Sequence, residues 1–213
     1  MHDLTARFAA LCEWTTAVAG LALSTGQRRQ LSSYLDALLL WNRKVALVSQ
    51  RDPAQILIKH LADSLYAAAR CADGEAVVDL GSGAGLPGLP IAIARPTSRV
   101  SLIESRGRKA SFLEEARRAT GARNAVVCHT RIEAAALDPE HRARYAVVTA
   151  RALTSLSALL SLARPFLSPG GRVVAMRSTG ERAEDSAGEL ETIAYELPDG
   201  TPRRLVVVRI PSP

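Results

Sequence analysis

Cysteine is scarce in this chain. Cys12, Cys71 and Cys128 are an odd number without CxxC or Cys/His ligand spacing, which argues against a disulfide framework or a zinc site and favours a reducing compartment, the cytoplasm. Aromatic residues make up only 4% of the sequence, too few for the broad base-stacking platform of a single-strand binder. No apolar run approaches the roughly 18 residues of a membrane span. The most apolar N-terminal stretch, Phe8 to Leu23, is interrupted by Glu13 and reads as an amphipathic helix, not a targeting signal. Neither an internal repeat nor a low-complexity tract is present, and no membrane partner is expected.

What is present is ordinary globular material: 213 residues, 47% hydrophobic, with a formal charge of +6 and a pI near 9.7. The basic balance suits a phosphate-bearing partner and equally the Ala/Arg-rich codon usage of a GC-rich genome. Three helical segments are expected first. Leu4, Phe8, Leu11, Trp14 and Val18 share one face over residues 3–19. Leu31, Leu35, Leu38 and Leu39 form a stripe with Trp41 nearby, and Asp52 with Pro53 opens a third helix running to about Cys71. After Gly74 short β-branched runs alternate with helical ones. Strands are predicted at Ala76–Leu80, Val100–Ile103, Ala125–Cys128, Tyr145–Thr149 and Arg172–Met176. The tail, "ETIAYELPDGTPRRLVVVRI", predicts an antiparallel edge hairpin turning at Asp199 and Gly200. The expectation is an α/β protein: a helical extension over 1–72 packed on a Rossmann-like domain over 73–213, its doubly wound sheet mostly parallel.

The stretch "VVDLGSGAGLPGLPIAIARP" places Gly81, Gly83, Gly85 and Gly88 behind an apolar run that contains Asp79. In such a sheet, ligands bind beyond the carboxyl ends of the strands, and glycines at the first turn let backbone approach them. Gly83, Gly85 and Gly88 fit the GxGxxG dinucleotide pattern, a weak signal alone. Yet Asp79 sits where a pyrophosphate would be repelled and a cationic ligand attracted. D-L-G-S-G-A-G resembles motif I of class I S-adenosylmethionine-dependent methyltransferases. Glu104, about twenty residues beyond the loop's start, closes the second strand where either cofactor class presents ribose hydroxyls. It points to a nucleoside without choosing one. The bland alternative is that Asp79 and Glu104 merely cap helices.

The sequence is similar to the bacterial RsmG family, the small-subunit (16S) ribosomal RNA guanine-N7 methyltransferases also called glucose-inhibited division protein B. The similarity spans nearly the whole chain. Its most specific part is "DLGSGAGLPGLPIAIARP", with the LPG-x-P continuation; upstream lie Trp41-Asn42, Arg51-Asp52-Pro53 and His60-x-x-Asp63-Ser64, and downstream "TRIEA", "TARALTSL" and "RRLVVVR". The resemblance implies the class I AdoMet-dependent methyltransferase fold, S-adenosyl-L-methionine as cofactor, and a 16S rRNA substrate in the 30S subunit or an assembly intermediate. The implied acceptor is N7 of one guanine, number 527 in the family. It also implies cofactor contacts at Gly81 and Leu86, at Ile132 and Glu133 beside the adenine, and at Arg151 near methyl transfer. An ordinary ion pair or a phosphate grip is the alternative for Arg151. Two places depart from the family pattern. Ala46-Leu47-Val48-Ser49 stands where Asn-Leu-Thr-Ser is usual, and Arg177-Ser178 where Lys-Gly is usual, with glycine returning at Gly180.

Missing motifs narrow the acceptor atom. Ala150-Arg151-Ala152-Leu153 replaces the Pro-Pro-aromatic signature of amino-directed enzymes, and no cysteine has the setting of a carbon-5 nucleophile. Guanine N7 needs neither device. Candidate RNA contacts are His60, Asp63, Arg106, Lys109, Arg151, Arg177 and Arg203, with Arg108 and Arg204 beside them. Any of these cations can equally be a solvated surface charge, and His60 with Asp63 a packed structural pair. A monomer is expected. A small-molecule methyltransferase and a non-catalytic RNA-binding assembly factor remain alternatives.

Overall fold

The computed structural model describes residues 2–50, 52–151, 153–177 and 189–210. Arg51, Ala152, Ser178 and Gly180, singled out above, lie outside them. Seven strands form one sheet: β1 (Ala76–Leu80), β2 (Arg99–Glu104), β3 (Ala125–His129), β4 (Tyr145–Arg151), β5 (Leu167–Arg177), β6 (Glu189–Glu196) and β7 (Pro202–Arg209). Their order is β3-β2-β1-β4-β5-β7-β6. The first five pair in parallel, and β7 joins β5 and β6 antiparallel. β1 lies between β2 and β4, so the chain leaves it in one direction and returns on its other side. That reversal opens a crevice at the carboxyl ends of β1 and β4.

The helices are α1 (His2–Ala19), α2 (Thr25–Asn42), α3 (Pro53–Ile56), α4 (Asp63–Ala68), α5 (Gly88–Ala94), α6 (Gly107–Thr120), α7 (Ile132–Ala135) and α8 (Leu156–Ala163). The single helix expected from Asp52 to Cys71 is divided between α3 and α4 by a π-helical stretch, Leu57–Ala62. Each π turn widens the helix by one residue and turns side chains off the expected face; His60 sits in it. Asp52 does cap α3, accepting from Ala54 N at 3.3 Å, with Pro53 in the first turn.

One apolar cluster fills one face of the sheet and runs without a break from Leu11, Leu31, Leu35 and Leu38 of the N-terminal helices to Leu89, Phe112 and Val147. A second, with Leu156, Leu159 and Phe166, fills the opposite face. Helix α2 also completes its neighbours. Its Ser24–Gln27 capping box satisfies its own first turn, while Gln27 Nε2 donates to Ile93 O and Ala94 O at the end of α5. Gln30 Nε2 donates 2.8 Å to Thr120 O at the end of α6. These carbonyls have no intrahelical partner, so α2 serves as a shared C-cap.

Candidate active site

β1 is buried along most of its length and ends in the glycine turn. The turn needs glycine for two different reasons. At Gly85, with φ of +78°, a side chain would be strained and its Cβ would fall 2.7 Å from Leu89. At Gly88, the start of α5, a Cβ would lie 2.2 Å from Leu102 and 2.8 Å from Asp79 Oδ2. The close approach has a polar purpose: Gly88 N donates to that Asp79 oxygen at 3.1 Å. From the other side, the fully buried Tyr34 donates 2.6 Å to the carbonyl of Ala84.

Beyond the turn opens a cavity of about 860 Å³. Of the nine residues assigned to the cofactor from sequence, Gly81, Gly83, Leu86, Glu104, Ile132, Glu133 and Arg151 line it. Asp79 and Gly85 do not. Asp79 is 1% exposed and packs behind the turn, because β1 alternates its faces and the carboxylate serves the start of α5. Of the residues assigned to RNA, His60, Arg106, Lys109 and Arg151 line the cavity, whereas Asp63, Arg177 and Arg203 stand back from it. Arg177 donates 2.7 Å to Thr154 O. Sequence reasoning had not assigned Val48, Ser49, Arg131 or Leu153, which also form the wall. For Arg131 the signal was available, since it immediately precedes Ile132-Glu133 after the third strand.

The Glu104 carboxylate ties two loops together. Oε2 accepts from Gly83 N at 2.8 Å and Oε1 from Arg106 N at 2.7 Å. A carboxylate has about four acceptor positions, so each oxygen keeps one for a ligand hydroxyl.

Asp79 Oδ1 is buried and has no hydrogen-bond partner. Burial pushes this carboxyl up to about 7, against the opposing pull of the Gly88 N–H. A cationic ligand group would favour its ionised form. A buried acid with one unpartnered oxygen behind a glycine turn, together with a carboxylate that has free acceptor positions, therefore fits a nucleoside that also carries positive charge. S-adenosylmethionine is such a group.

On the far wall, Arg151 Nη2 donates to Nδ1 of His60 and to Lys59 O, the latter at 3.2 Å. Its Nε lies 3.8 Å from Asp63 Oδ2, and Arg203 Nε reaches the same oxygen at 3.9 Å. Tyr195 donates to the other oxygen, Asp63 Oδ1. Thus His60 and Asp63, one turn apart, do not pair with each other; Arg151 joins them. Burial, followed by the charges of Arg151 and Arg203, lowers His60 to about 3. It is neutral at physiological pH.

Residues 27–197 match the family model for GidB, rRNA small subunit methyltransferase G. The chain belongs to this family. Its relatives named ribosomal RNA small subunit methyltransferase G include one from Chloroflexus aggregans, 38% identical over 91% of this chain and 86% of that protein. Another, from Xanthomonas axonopodis pv. citri, is 40% identical over 84% of this chain and 85% of its own. Among solved structures, a SAM-dependent methyltransferase from Aquifex aeolicus superposes with a TM-score of 0.55 at 15% identity, covering 75% of this chain and 94% of that one. The C-terminal domain of a precorrin-6Y C5,15-methyltransferase from Rhodobacter capsulatus gives 0.53 at 20% identity, over 76% and 92%. The fold is that of class I AdoMet-dependent methyltransferases.

Proposed function

We propose that this member of the rRNA small subunit methyltransferase G family moves a methyl group from S-adenosylmethionine to N7 of one guanine in 16S rRNA. Family membership makes it an AdoMet-dependent rRNA methyltransferase; the acceptor atom, the single nucleotide and the residue roles are our reading. One observation carries it: a single cavity joins the glycine turn and Glu104 to four cations, Arg106, Lys109, Arg131 and Arg151. Such a space suits a nucleoside held deep and a polyanion held at the mouth.

The bound cofactor supplies an electrophilic methyl group on a sulfonium. For their part, Glu104 accepts its ribose hydroxyls, the turn from Gly81 to Leu86 gives it close backbone contact, and Ile132 with Glu133 flank the adenine. Asp79 acts through its charge, from behind the turn. N7 offers an in-plane lone pair, so no proton has to leave before attack and no general base is required. His60 cannot serve as one, because Arg151 already occupies its only lone pair. The protein's contribution is alignment and exclusion of water. Residues 1–72 form a helical extension that braces the turn. The enzyme works as a cytoplasmic monomer on the 30S subunit or its assembly intermediate.

The test is incubation with tritiated S-adenosylmethionine and 30S particles from a strain lacking the modification, followed by N7-sensitive strand scission. One labelled guanine is expected. Label on adenine or cytosine overturns the target atom; label on metabolites with none on RNA overturns the substrate class.

A further inference from the structure

The hydrogen bonds behind Arg151 run on through two side chains that the reaction described above leaves without a role. Arginine has donors only. Because Arg151 Nη2 donates to His60 Nδ1, that nitrogen must be the unprotonated one, and the ring proton of neutral His60 must sit on Nε2. Nε2 in turn faces Gln50 Oε1 and donates to it. That donor fixes the amide's orientation, and the same oxygen also accepts from Ser49 Oγ at 2.8 Å.

Gln50 is itself held by its backbone. Asn42 Nδ2 donates 2.9 Å to Gln50 O, and Asn42 Oδ1 accepts from Leu47 N and Val48 N at 3.0 Å each. One amide side chain thereby pins both ends of the loop whose residues Leu47, Val48 and Ser49 line the cavity. The apolar Val48, at a position where the family usually has threonine, faces the cavity without needing a polar partner, since Asn42 already satisfies its backbone.

We infer that Gln50 and His60 are positioning residues: they fix the guanidinium of Arg151 on the cavity wall, and Asn42 holds Gln50 in place for that task. Each of these hydrogen bonds has a defined sense, from the Asn42 amide to the Arg151 guanidinium. His60 meets the charged groups Arg151, Lys59 and Arg203 and passes no proton. Its imidazole works only as a spacer with one acceptor and one donor, a pattern that an amide can reproduce.

The first test is independent of activity and of the methyl-transfer reading. Nitrogen-15 spectra of the full chain, which has four histidines, should show one imidazole locked with its proton on Nε2 between about pH 5 and 8, missing in H60Q. A proton on Nδ1, or titration of His60 within that range, overturns the inference even if methyl transfer is confirmed. The second test rests on that reading and uses the 30S assay once the wild-type chain has labelled its guanine. H60L and Q50A should reduce turnover by about tenfold to a hundredfold, while H60Q restores it to within a few-fold with an unchanged pH profile. In an R151K background, H60L should add little further loss. If H60Q is as inactive as H60L, or if H60L costs as much with Lys at 151, the imidazole acts on its own and the positioning role is wrong. Gln50 is partly exposed and does not contact Arg151, so Q50A with wild-type activity and an unchanged melting curve would also overturn it.

Discussion

The phenol of Tyr34, on α2, donates a 2.6 Å hydrogen bond to the carbonyl of Ala84 at the centre of the glycine turn, fifty residues later in the chain. An N-terminal helix thus sets the height of the backbone on which the cofactor is proposed to rest. Tyr34→Phe keeps the ring and leaves a buried carbonyl unpaired, which costs about 1–3 kcal/mol. Urea unfolding should show that loss. Calorimetry should show weaker S-adenosylhomocysteine binding. Undiminished stability would mean that the turn holds its shape without α2.

Asp79 makes a prediction about pH. Its folded pKa, about 7, lies above the unfolded value near 3.8, so between these limits the native state binds more protons than the unfolded one. By linkage, this group makes unfolding easier as pH rises from about 4 to about 7, with no further change above. Subtracting the stability curve of Asp79→Asn from that of the wild type should leave a difference that falls across this window. A flat difference would place the ionised carboxyl in a better-solvated setting. Cofactor binding should also tighten as pH rises towards 7 and release a proton, measurable by titration in buffers of different ionisation enthalpy.

Glu104→Ala removes the acceptor shared by Gly83 N and Arg106 N, and with it the proposed ribose contacts. We expect cofactor affinity to fall by about 1–3 kcal/mol, with the protein still folded by circular dichroism. Equal affinity would take Glu104 out of the cofactor site.

Lys109 and Arg131 line the cavity, and we propose that they meet the RNA. Replacing either by alanine should weaken binding to a 16S rRNA fragment and reduce the slope of log affinity against log salt by about 1. Cofactor affinity should stay within a few-fold. A slope identical to the wild type would assign these cations to solvent.

Several parts of the fold were legible because they are local. The alternation of β-branched and helical runs placed the five parallel strands within a few residues of their observed bounds. Strand β5 is the exception. Its observed start at Leu167 precedes the expected Arg172, because Tyr145 pairs with Leu167 across a register shift before the regular ladder begins at Val147 and Arg172. Asp199 and Gly200 marked the hairpin turn for the same local reason: Thr201 N donates to the Asp199 side chain, and Gly200 takes a φ of +77°. The π stretch at Leu57–Ala62 left no mark in the leucine spacing. It was therefore read as ordinary helix.

The sequence by itself determined the glycine turn, the parallel sheet and the family, since strand alternation, glycine placement and motif spacing act over a few residues and survive as patterns in the chain. Tertiary structure alone decided what surrounds the turn. The link between Arg151 and His60 crosses 91 residues, and that between Tyr195 and Asp63 crosses 132; no periodicity encodes such a meeting. It also placed Asp79 behind the turn instead of on the cavity wall, because which side of a buried strand faces a ligand depends on the helices packed against each face.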